Sequence, residues 1–163
     1  MSETAHQASR VEPDAAVVAD FAADYVDAFA IDGPTLIAAR AWADSSLHGS
    51  DAAGGLFRTV VWHGLLRFEL ADADEAGTAF GWRVSTEQDC LVVMDVDGPL
   101  AAGRMIFAVS DATTTWTTML RFHRLTGRVL WAILGHGHRA LAPSCLDQAA
   151  TYLRRAGRVT AEV

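Results

Sequence analysis

Along the chain, apolar and polar positions alternate in two distinct periods. From Asp24 to Ile31 the period is two: Tyr25, Asp27 and Phe29 fall on one side, Val26, Ala28 and Ala30 on the other. Asp32-Gly33-Pro34 breaks the pattern, which predicts a first strand. Thr35 to Ala43 then carries Leu36, Ile37, Ala39 and Trp42 at helical spacing, starting beside Pro34 and stopping by Asp44-Ser45-Ser46. A loop with Gly49, Gly54 and Gly55 leads into a second short helix, where Phe57, Val61, Leu65 and Phe68 recur every three or four residues. The stretch Asp72 to Gly77 has no apolar period and reads as an exposed connection.

Four strand-like segments follow: Phe80 to Glu87, Cys90 to Asp97, Gly103 to Ser110 and Thr113 to His123. Their connections are short enough for hairpins, so the pattern predicts an antiparallel meander. The last element is one long helix from Thr126 toward Arg155, with Trp131, Leu134, His138, Leu141, Cys145, Ala149 and Tyr152 on one broad stripe and Pro143 inside it. The order predicts an α+β domain in which a curved antiparallel sheet of five strands wraps a long C-terminal helix, with two short helices between. Such an arrangement tends to enclose a pocket. The expected boundaries are a loose tail over residues 1–19, the domain over 20–155 and a tail over 156–163.

Composition sharpens this in a few places. A chain of 163 residues with 51% hydrophobic residues has enough apolar surface for one sizeable core. Its net charge of −7 argues against nucleic acid, which calls for a basic footprint. No apolar run is long enough for membrane insertion, and nothing at Met1 to Asp14 has the form of a secretory signal, so the expected location is cytoplasmic. Cys90 and Cys145 are too few for a disulfide framework, and Cys90 reads as a small apolar strand residue.

Several stretches carry a family likeness. The order of elements resembles the helix-grip, START-like (SRPBCC) superfamily. More narrowly, Asp24-Tyr25-Val26-Asp27-Ala28-Phe29, Gly81-Trp82-Arg83-Val84 and Gly127 to Gly135 with His138-Arg139 resemble the DUF2867 family, whose function is not established. The resemblance implies a cavity between sheet and long helix, closed at one end by the short helices. The usual sheet of that superfamily has seven strands, whereas the alternation here shows five, a departure that predicts a smaller cavity or one open along an edge.

The candidate chemistry follows from that cavity. Trp82, Trp116, Phe122, Trp131 and His138 are the expected ligand-binding residues, because apolar pockets are walled by such side chains with a few polar groups for orientation. The expected function is binding of a small, hydrophobic or amphipathic ligand. The alternative is an enzyme acting on a polyketide-like metabolite as a cyclase, dehydratase or isomerase, as some members of that superfamily do. In it His138 is the general acid or base, with Arg83 or Asp95 assisting. Arg83 and Asp95 alternate with apolar neighbours and read first as solvent-facing charge pairs, entering a pocket only if their face is the concave one. His136 and His138 have a spacing common among metal ligands, but residues two apart on a helix point in different directions, so no metal is expected. No motif calls for a cofactor. A third expectation is a structural or oligomerising domain with a filled interior, in which every tryptophan is core, and a homodimer is among the expected partners.

Overall fold

A computed structural model of the chain describes residues 7–33, 37–48, 52–72 and 75–161. Seven antiparallel strands form one sheet in the order β1-β2-β7-β6-β5-β4-β3. They are β1 (Ser9–Val11), β2 (Tyr25–Asp32), β3 (Thr78–Ala79), β4 (Trp82–Gln88), β5 (Leu91–Val96), β6 (Ala101–Val109) and β7 (Thr113–Phe122). The sheet curves around α4 (Leu125–Ala161), a helix-grip arrangement in which α2 (Ala39–His48) packs on α4 and on β4, β5 and β6, and α3 (Ala52–Arg58) packs on α4. A four-residue α1 (Ala15–Val18) precedes β2.

The meander from β4 to β7 is the part that alternation predicts, and its hairpins are as tight as expected. The strand count is corrected from five to seven. Ser9–Val11 pairs with Ala28 to Ala30, so part of the expected N-terminal tail is an edge strand, and Thr78–Ala79 pairs with Trp82 and Arg83 at the other edge. Cys90 is likewise corrected: it is exposed in the β4–β5 turn rather than paired in a strand. The first helix lies further along than the spacing suggests, ending at His48, and its expected start at Pro34 and Thr35 lies outside the described residues. Helix α4 continues through Pro143 and past Arg155. Among the described residues no helix is long and apolar enough to cross a membrane.

Register decides which side chains face the helix. Asp27 pairs with Thr118, Thr118 with Met105, Met105 with Met94 and Met94 with Val84, and directly paired residues share a face. The next inner row runs Phe29, Trp116, Phe107 and Val92. Phe107 and Trp116 are stacked at 5.1 Å, an arrangement worth about 1 kcal/mol beyond the area it buries. Arg83, Asp95 and Arg104 occupy one row of the opposite face. A bulge at Ser85, between the Val84–Met94 and Thr86–Val93 pairs, bends β4.

Glycines set two close approaches of α4. A Cβ at Gly127 would stand 2.6 Å from the Leu100 carbonyl oxygen, so the start of α4 can lie against the β5–β6 connection only without a side chain there. A Cβ at Gly137 would stand 2.9 Å from Cε2 of Phe57, so this glycine seats the Phe57 ring on the helix. The Gly135-His136-Gly137 run therefore has a packing role.

Candidate functional site

The inner face of the sheet and α4 leave a small cavity of about 50 Å³ between them. The sheet supplies Trp82, Met105, Trp116, Thr118 and Leu120, and α4 supplies Trp131, His138, Leu141, Ala142 and Cys145. Ser46 and Leu47 of α2 close one side. The remaining wall is Phe57 and Arg58 of α3, Val61 and Trp62 of the π-helical turn that follows (Thr59–Leu65), and then Leu66 and Phe68.

That last wall is the weakest local structure around the site. Helix α3 reads Ala-Ala-Gly-Gly-Leu-Phe-Arg, and each glycine in a helix costs about 1 kcal/mol relative to alanine. It passes directly into a π-helix, a form found mostly in short functional pieces. Leu56 and Val60 are exposed on its outer side. Trp62 lies 5.2 Å from Trp82, and the Arg58 guanidinium lies over the rings of Trp62 and Phe80 at 6.0 and 5.8 Å. Burial lowers the Arg58 pKa, with the neighbouring Cys145 working against that shift.

His138 is nearly buried on α4, with Trp131 at 5.5 Å, Trp116 edge-on at 6.0 Å and Phe29 at 6.4 Å. Its Nε2 lies 3.3 Å from Oδ1 of Asp27, whose side chain is wholly buried. The second carboxylate oxygen of Asp27 accepts a short hydrogen bond from the Tyr25 hydroxyl, and Arg139 Nη1 donates to that hydroxyl at 3.4 Å. Burial first, then the hydrogen bond to Asp27 and its charge, push the Tyr25 phenol well above its ordinary pKa, so it remains a donor.

A carboxylate only accepts, so the Asp27 contact assigns the hydrogen of a neutral His138 ring to Nε2. Nδ1 then carries the lone pair, and it has no hydrogen-bond partner among the described residues. The contact with a buried carboxylate fixes the orientation of the imidazole on the cavity wall.

Five buried donor groups on cavity-lining residues have no hydrogen-bond partner: Ser46 Oγ, Trp82 Nε1, Trp116 Nε1, Thr118 Oγ1 and Trp131 Nε1. Each such group costs about 1–3 kcal/mol when left unpaired.

Of the residues singled out by sequence, Trp82, Trp116, Trp131 and His138 meet around the cavity. Phe122 does not: it is half-buried at the end of β7, where its backbone N–H donates to Asp24. Arg83 and Asp95 are also elsewhere, because strand parity puts both on the face away from α4. There Arg83 is exposed and Asp95 accepts from Arg104 Nε at 2.6 Å. Asp27 is the partner that sequence reasoning missed, although its place between Tyr25 and Phe29 on one side of an apolar strand was the available signal. Arg58, Trp62, Ser46 and Thr118 had no such signal. His136 is exposed while His138 is buried, and among the described residues no group of three His, Cys, Asp or Glu side chains could hold a metal ion. Compared with family models, with curated proteins and with solved structures, the chain matches none, so the likeness to the DUF2867 and START-like families has no support from a match.

Proposed function

We propose that the protein binds a small, compact, largely apolar molecule between the inner face of the sheet and α4. The observation that carries this reading is the cavity itself, walled by Trp82, Trp116, Trp131 and Trp62, with His138, Arg58 and Cys145 also on its wall. Its volume of about 50 Å³ is far below the roughly 300–1,000 Å³ of drug-sized pockets. The guest is therefore compact, and it gains room by displacing Phe57 and Trp62 on the weakly held α3 and π-helical wall. Burial of apolar surface, about 25 cal/mol per Å², drives association, so affinity varies little with salt.

Titration of the full chain with ethylbenzene or indole, followed by tryptophan fluorescence or thermal shift, tests this. A saturable response that Ala142→Leu weakens by filling the cavity is expected. A folded protein that responds to no compact apolar probe rules the reading out.

A second reading, an enzyme using the same cavity, is favoured by the Asp27–His138 contact. In it His138 Nδ1 removes a proton from carbon or oxygen of the bound molecule, and Asp27 stabilises the resulting imidazolium. Exchange of the methyl hydrogens of acetophenone in D2O, accelerated by the protein and lost in His138→Gln with binding retained, is the expected result. No acceleration at saturating ketone removes this reading and leaves the binding proposal standing.

A further inference from the structure

We infer that the molecule held in the cavity carries hydrogen-bond acceptor oxygens, a carbonyl or a carboxylate, on its compact apolar frame. This rests on the proposed binding role of the same cavity and specifies the chemistry it selects. Five residues of the wall, Ser46, Trp82, Trp116, Thr118 and Trp131, are each more than nine-tenths buried and each keeps a donor without a partner. Three of the five are indole N–H groups, which donate and cannot accept.

The Ser46 and Thr118 hydroxyls can also accept and His138 Nδ1 only accepts in the neutral ring, so the surplus of donors rests on the three indoles. Among the described residues the wall contains no carboxylate and no carboxamide side chain, and it carries the Arg58 guanidinium. Asp27 is wholly buried against His138 and already accepts from Tyr25. A pure hydrocarbon fills the space and leaves the donors orphaned. An ammonium adds donors and places like charge in the same small volume as Arg58. An acceptor oxygen satisfies donors already dehydrated by the protein, so their desolvation is not charged again on binding.

The test uses four probes of nearly equal size on the full chain: ethylbenzene, acetophenone, benzoate and benzylamine, with Kd read from tryptophan fluorescence. The expected result is that acetophenone or benzoate binds about tenfold or more tightly than ethylbenzene, with benzylamine weakest. Preference for benzoate assigns a carboxylate and for acetophenone a carbonyl. Thr118→Val, which removes one donor at nearly constant volume, should shrink the preference of acetophenone or benzoate over ethylbenzene severalfold. Equal binding of ethylbenzene and both oxygenated probes, tighter binding of benzylamine, or a preference that Thr118→Val does not change overturns the inference and leaves an apolar binding site intact. Failure of all four probes to bind folded protein ends the binding proposal and this inference together.

Discussion

On the face of the sheet toward α4, Asp27 is wholly buried between His138 and Tyr25, whereas on the opposite face Asp95 lies partly open to solvent beside Arg104. Both acids sit mid-strand, and each has a basic partner. The outer pair forms an ion-pair row that extends to Asp20, and its hydrogen bond to Asp95 raises the Arg104 pKa. Solvent reaches that row, so its members stabilise the fold only modestly. The inner pair is shielded from solvent, so each polar atom depends on its protein neighbour. Burial, not residue type, separates the candidate site from a solvated charge row.

Substitutions can break this contrast. Asp27→Ala leaves the Tyr25 hydroxyl without its acceptor and His138 Nε2 unsatisfied, so we expect a loss of about 3–5 kcal/mol in urea unfolding. A loss below about 1 kcal/mol would mean that water replaces the carboxylate and that the inner face is not sealed.

The Tyr25 phenol offers a second probe of the inner face. Its folded pKa is raised, so the unfolded chain ionises first and this contribution to stability, complete below the ordinary phenol value of about 10, is lost as pH rises beyond it. Ultraviolet titration should show a phenolate step well above pH 10 that disappears in Tyr25→Phe, and a Tyr25 step at the ordinary value would contradict its burial against Asp27.

Asp95→Ala sharpens the comparison from the other side. It should cost about 1 kcal/mol or less, with the cost shrinking at high salt and ligand affinity unchanged, because the row lies outside the cavity. The smallest effect belongs to Asp97, whose pKa is lowered chiefly by its hydrogen bond to His123. A depressed folded pKa stabilises above the unfolded value of about 3.9 and fades as pH falls through the folded one. The stability curves of wild type and Asp97→Asn should therefore differ slightly at neutral pH and converge in acid, and a gap that widens in acid would reverse the assignment.

Much of the frame was legible in the chain because its periods are strong. The β4–β7 meander followed from alternation broken by two- to four-residue turns, and α4 followed from a stripe running from Trp131 to Tyr152. Strands β1 and β3, three and two residues long, are too short to show a period, and they exist because the edges of β2 and β4 offer backbone partners. Cys90 looked like part of a strand because apolar residues follow it, but the β4–β5 hairpin needed a turn there.

By itself the sequence determined which side chains share a face: Tyr25 with Asp27 and Phe29, Trp131 with His138 and Cys145. Those pairings are local, fixed by backbone periods of two and 3.6 residues. Only the tertiary structure decided which face of the sheet meets the helix. That choice brought Asp27 to His138 across 111 residues of chain, sent Arg83 and Asp95 to solvent and left five donors unpartnered beside one cavity. No local period encodes such a meeting, because it depends on strand order, register and the approach of α4 that Gly127 and Gly137 permit.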